Sequence, residues 1–73
     1  MSNLNPIKKL RYELFLSQRE FSELMGIMQA TISRYEANKQ NPTVPILKRF
    51  VNLAKEHNLE FDFHYYIDNA REK

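Results

Sequence analysis

Gln29, Ala30, Ser33 and Arg34 stand three and four residues apart, so a helix through them presents all four on one side. Their chemistry is that of base edges. Glutamine can bond an adenine edge through both groups of its amide, and arginine can take the two acceptors of guanine. Alanine and the Thr31 methyl can meet a thymine methyl, and serine suits several edges. The same residue types are ordinary on any solvated helix, so their weight depends on the elements that hold them.

Other candidate chemistry is thin. The chain has no glycine-rich phosphate loop, and its two histidines, His57 and His64, are isolated from one another. Glu60, Asp62 and His64 would share one face of a strand but lack a closed ligand shell. No enzyme activity, cofactor or metal is expected.

Four helices can be placed from local signals. Asn5 and Pro6 open the first as N-cap and first-turn proline, and Ile7, Leu10 and Leu14 give it one apolar face, with an end expected near Phe15. Ser17 and Glu20 then form a capping box, flanked by Leu16 and Phe21 at staple spacing, so the second helix starts at Ser17. Its apolar face is Phe21, Leu24 and Met25. It stops at Gly26, the only glycine, where a left-handed residue ends a helix without a Cβ clash.

Helical spacing resumes at once with Ile27 or Met28, then Ile32 and Tyr35; assigning Met28, Ile32 and Tyr35 inward leaves Gln29, Ala30, Ser33 and Arg34 outside. Two helices joined by so short a turn must cross steeply, with the small Ser22 at their closest approach. That is a helix-turn-helix. The third helix ends near Ala37 with Asn38 as a left-handed cap. Thr43 and Pro45 open a fourth, whose broad apolar face is Ile46, Leu47, Phe50, Val51, Leu53 and Ala54 and whose Lys48 and Arg49 read as solvated charges.

The period changes in the tail. Leu59, Phe61, Phe63, Tyr65 and Ile67 alternate with polar residues and Tyr66, which reads as a half-buried strand over about 59–67. A lone strand cannot satisfy its own backbone, so its expected partner is the same strand of a second copy, making these five residues a dimer interface. A strand offered to a different protein is the rival reading. The chain thus divides into a helix-turn-helix domain over 1–58 and a strand with an acidic tail over 59–73.

Composition agrees with this division. In 73 residues the net charge is +2, but residues 1–55 carry +5 and residues 56–73 carry −3. A basic body with an acidic tail suits a polyanion bound at one end. A helical chain this short buries a thin core that a second subunit would extend. With no cysteine and no long apolar run, no disulfide, thiolate metal site, signal peptide or membrane span is expected, and a cytoplasmic protein is the default.

Residues 7 to about 59 resemble the Xre, or lambda-repressor-like, helix-turn-helix family. The shared pattern is Leu16-Ser17-Gln18, Ser22, Gly26, Thr31-Ile32-Ser33, Tyr35-Glu36 and Asn41-Pro42. The string "GIMQATISRYEAN", followed by a helix and a short strand, is similar to the HipB-like antitoxins. The resemblance implies a mainly α fold of four to five helices with a C-terminal strand pairing across a dimer. It also implies a repressor on a palindromic operator of double-stranded DNA, autoregulating and paired with a toxin. An alternative is a module whose main role is toxin neutralisation, or a stand-alone phage or plasmid repressor.

Site residues follow from the same resemblance. Gln29, Ala30, Ser33 and Arg34 would face the major groove. Gln18, Thr31, Asn38, Lys39 and Gln40 would touch the backbone, Gln18 at a phosphate and Thr31 at a phosphate or a thymine methyl. Two departures stand out: Asn38 replaces a frequent glycine, and Met28 replaces a frequent polar cap.

Overall fold

A computed structural model describes residues 5–71, with side chains as far as Ile67. Among the described residues five helices follow one another: α1 (Pro6–Glu13), α2 (Gln18–Met25), α3 (Gln29–Glu36), α4 (Val44–Glu56) and α5 (His64–Arg71). Residues 72 and 73 of the acidic tail lie outside the described residues.

The starts of the helices follow local chemistry. The Asn5 side chain accepts from the Lys8 amide, and Pro6 occupies the first turn of α1. At α2 both halves of the capping box form: Ser17 Oγ accepts from the Glu20 amide at 3.0 Å, and the Ser17 amide donates to the Glu20 carboxylate at 2.8 Å. Thr43 is the N-cap residue of α4, but its hydroxyl makes no capping bond.

The first four helices share one way of ending. Phe15, Gly26, Asn38 and Asn58 have φ of 60°, 67°, 60° and 58°. In each case the next amide, from Leu16, Ile27, Lys39 or Leu59, donates back five residues to Arg11, Ser22, Arg34 or Ala54. This left-handed C-terminal cap satisfies carbonyls that the helix leaves open. Gly26 and Asn38 are natural occupants. Phe15 is not, and it stops α1 short of its expected end at the cost of a strained backbone.

Ile7, Leu10, Phe21, Met25, Ile32, Tyr35, Leu47, Phe50, Ala54 and Tyr66 form the core. Phe50 of α4 is its hub: its ring meets Phe21 at 5.7 Å, the edge of Tyr35 at 6.4 Å and Phe61 in a parallel stack at 6.0 Å. Two assignments on the inner faces change. Leu24 is 55% exposed and Met28 is 73% exposed, and Ile27 packs on the core instead of Met28.

The C-terminal segment departs further from expectation. No strand forms among the described residues; α5 begins at His64, inside the stretch expected to extend to Ile67. Leu59, Phe61, Phe63, Tyr65 and Ile67 pack, partly buried, on their own protomer's core. Tyr66, placed on the polar side by the alternation, is the one fully buried, at 2% exposure. The physical reason is that Phe63, Tyr66 and Ile67 also obey helical spacing, and an isolated chain offers a strand no partner. The Tyr66 hydroxyl accepts from the otherwise orphan Ile7 amide of α1 at 3.3 Å, an attachment that a strand in which Tyr66 points outward would forgo.

Candidate nucleic-acid interface

α2 and α3 are joined through Gly26, whose left-handed φ is what the position demands. A Cβ there would meet nothing nearer than an Arg49 guanidinium nitrogen at 4.0 Å, so backbone conformation, not space, selects glycine. Arg49, read in the sequence as a solvated charge, in fact donates to the Met25 carbonyl at the end of α2. A cation at a helix C-terminus is favourable, and here it also ties α4 to the turn.

A second lock holds α3 from behind. Arg11 of α1 forks onto Glu36, with Nε to Oε2 at 2.7 Å and Nη2 to Oε1 at 2.9 Å, and its third nitrogen donates to the Leu16 carbonyl at 3.0 Å. Both residues are buried. The bond to Glu36 raises the Arg11 pKa further above its ordinary value, which keeps the guanidinium charged in its buried setting. Asn5 adds a third tie by donating to the Tyr35 carbonyl at 2.6 Å.

On this scaffold Gln29, Ala30, Ser33 and Arg34 are all exposed along one face of α3, and Thr31 is half-buried. Arg34 is oriented by its neighbours: Nε donates to Gln40 Oε1 at 2.9 Å, and Nη2 lies 3.5 Å from Thr31 Oγ1. Gln40, expected at the DNA backbone, is thus placed to hold Arg34. Gln18 donates to Glu36 Oε1 at 3.1 Å, which leaves its second amide hydrogen for an outside acceptor. Gln18 and Ser33 border one recess of about 230 Å³ with Lys8, Arg11, Tyr12, Glu36 and Ala37. Asn38 Oδ1 accepts from Tyr65 at 3.1 Å and Asn5 at 3.3 Å, so its amide hydrogens face away from those donors. Lys39 is exposed one residue beyond the cap.

Four participants escaped the sequence reading. Arg11 and Glu36 were detectable in principle, because Arg11 falls four residues after Ile7 and Glu36 four after Ile32, on inner faces where an unpaired charge is costly. Met28 is the N-cap residue of α3, makes no side-chain capping bond, and stands exposed beside Gln29. Arg49 gave no signal, since a basic residue mid-helix is ordinary.

Helices α2 and α3, in contact and joined through the Gly26 turn, leave polar side chains of the second exposed on one face, and the family comparison agrees. A family model described as helix-turn-helix matches residues 7–55, more than half of the chain. The chain belongs to that lambda-repressor-like family of DNA-binding transcription regulators. No curated protein and no solved structure matches it significantly. Among the described residues, no helix is long and apolar enough to cross a membrane.

Proposed function

We propose that this protein is a cytoplasmic, non-enzymatic, sequence-specific repressor that binds a two-fold symmetric operator as a dimer. One observation carries the reading: Gln29, Ala30, Ser33 and Arg34 are exposed on a single face of a helix locked from behind by Arg11–Glu36. An eight-residue helix can read only a few base pairs, too few for specificity within a genome, which favours two copies on half-sites about 10 bp apart or at a larger spacing set by the dimer contact. In this reading Gln18, Asn38 and Lys39 hold phosphates, Thr31 supports them, and Gln40 aims Arg34 at a base. Repression follows from occluding a promoter.

A second role as antitoxin is favoured by the string "GIMQATISRYEAN", and it is compatible with the first because such a protein can repress its own operon while silencing a partner.

The test selects sites from random DNA and repeats the selection with two variants. Arg34→Ala should lose about 1–3 kcal/mol and relax preference at one position, whereas Lys39→Ala should weaken all sequences alike and flatten the salt dependence. Equal loss on every sequence from Arg34→Ala would sink the base-reading role. Sedimentation with the selected duplex reads the stoichiometry, and one protomer per full site would overturn the dimer.

A further inference from the structure

Away from the α3 face, a cleft of about 400 Å³ opens between α4 and the segment before α5, lined by Lys48, Val51, Asn52, Lys55, Phe61 and Phe63. The four α4 residues lie on one stripe, at spacings of three, four and seven. Phe61 and Phe63 flank a tight turn in which the Phe63 amide donates to the Phe61 carbonyl at 2.9 Å, and both rings border the cleft. Phe61 is stacked between Phe50 and Tyr66, each at 6.0 Å, which fixes the floor of the cleft on the core. The result is an apolar trough with a positive rim and, among the described residues, no acidic side chain in its lining.

We propose that this cleft docks an acidic amphipathic helix of a partner protein. Lys48 and Lys55 are seven residues apart, about 10 Å along the helix axis, beyond the span of one carboxylate. A second helix laid beside α4 meets them with two carboxylates at the same seven-residue spacing, and the apolar residues between those carboxylates reach Val51, Phe61 and Phe63. Charge complementarity sets the sign of the partner and the phenyl floor requires its apolar stripe. A second copy of this chain fits poorly: two-fold pairing through the cleft brings Lys48 and Lys55 against the lysines of its mate. A nucleic-acid backbone satisfies the lysines but leaves the two rings uncovered. The cleft shares no residue with the base-reading face, so this inference stands or falls independently of the DNA reading.

The probe is a synthetic peptide of about 15 residues, long enough for four helical turns, with glutamates seven apart and leucines between them. Amide shifts of the full-length protein are followed during titration. Shifts centred on Val51, Asn52, Lys55, Phe61 and Phe63 are expected, with binding about tenfold weaker for K48E/K55E and restored when that variant meets the lysine version of the peptide. Both lysines are exposed, so the double variant keeps its core. Equal binding by K48E/K55E, equal binding of a peptide with glutamates four apart, or shifts centred on α3 would overturn the proposal. The same shifts produced by a random DNA duplex, or by raising protein concentration without peptide, would overturn it in favour of nucleic acid or of a second copy.

Discussion

The segment from α1 to α4 and the segment after it are held in different ways. The first is built from directional contacts: a capping box, left-handed caps, the Arg11–Glu36 fork and the Arg49 bond to the α2 carboxyl end. The second is held by rings, with Phe61 between Phe50 and Tyr66, and by two tyrosine hydroxyls on α1 and on the end of α3. Directional contacts set angles, and a helix that reads bases, the role proposed for α3, needs its angle set. Stacked rings supply burial while tolerating sliding, which suits an element that closes the core and reaches the candidate site only through the Tyr65 bond to Asn38 among the described side chains.

The contrast breaks first at Glu36. Glu36→Ala leaves the Arg11 charge buried and unpaired, with an expected cost of about 3–5 kcal/mol, a large share of the stability of a domain this small. Urea unfolding of the variant checks it, and DNA affinity should fall even in stabilising salt because Gln18 loses its anchor as well. A loss below 1 kcal/mol would mean that packing, not this pair, sets α3.

Next comes Tyr66. Tyr66→Phe keeps the stack but orphans the buried Ile7 amide, at about 1–3 kcal/mol. It also carries a pH signature. Burial raises the Tyr66 pKa well above its ordinary value of 10.0. The folded state therefore prefers the neutral phenol, a stabilisation complete below pH 10.0 and lost as the pH rises beyond it. Wild type should lose stability above that pH more steeply than Tyr66→Phe. Parallel alkaline curves would place the titration elsewhere.

The helix ends give a pair of smaller effects with opposite sign. Gly26→Ala forces a Cβ into the left-handed region and should cost about 1–2 kcal/mol, although nothing crowds the site. Phe15→Gly removes the same strain from a side chain that is 93% exposed, and should raise stability by about 1 kcal/mol. Thermal melts of both variants suffice. If Phe15→Gly destabilises, the ring makes contacts in solution that its exposure hides.

These sites also show what the sequence could disclose. Ser17 with Glu20, and Gly26, were readable because a cap is a local event within four residues. Asn38 was readable for the same reason, and Asn58 carries the same local signal, while Phe15 does not, since a phenylalanine in the left-handed region follows no local rule and Leu16 beside it packs on the core. The exposed face of α3 was legible because helical spacing alone separates Gln29, Ala30, Ser33 and Arg34 from Ile32 and Tyr35. Met28 was misplaced because Ile27, one residue earlier, fits the inner face equally well. In the tail, both periods coexist: alternation fits Leu59, Phe61 and Phe63, and helical spacing fits Phe63, Tyr66 and Ile67. Only the long-range burial of Tyr66 decides between them, and that lies outside any short window.

The smallest expected effect tests whether the two regions are joined by direction or by burial alone. At Asn38 the backbone is left-handed, so Asn38→Gly should gain by relieving strain. It also removes the acceptor for Tyr65 and Asn5, part-exposed bonds each worth about 0.5–1.5 kcal/mol. These oppose one another, and the net change should stay within about 1 kcal/mol. In a Tyr65→Phe background one bond is already absent, so the same substitution should be more favourable by about 0.5–1.5 kcal/mol. That coupling, read from a double-mutant cycle in urea, isolates the Tyr65 bond from α5 to the C-terminal cap of α3. Zero coupling would mean that the C-terminal segment meets the reading helix through its rings alone, and that nothing happening at α5 can be transmitted to Arg34 through Asn38.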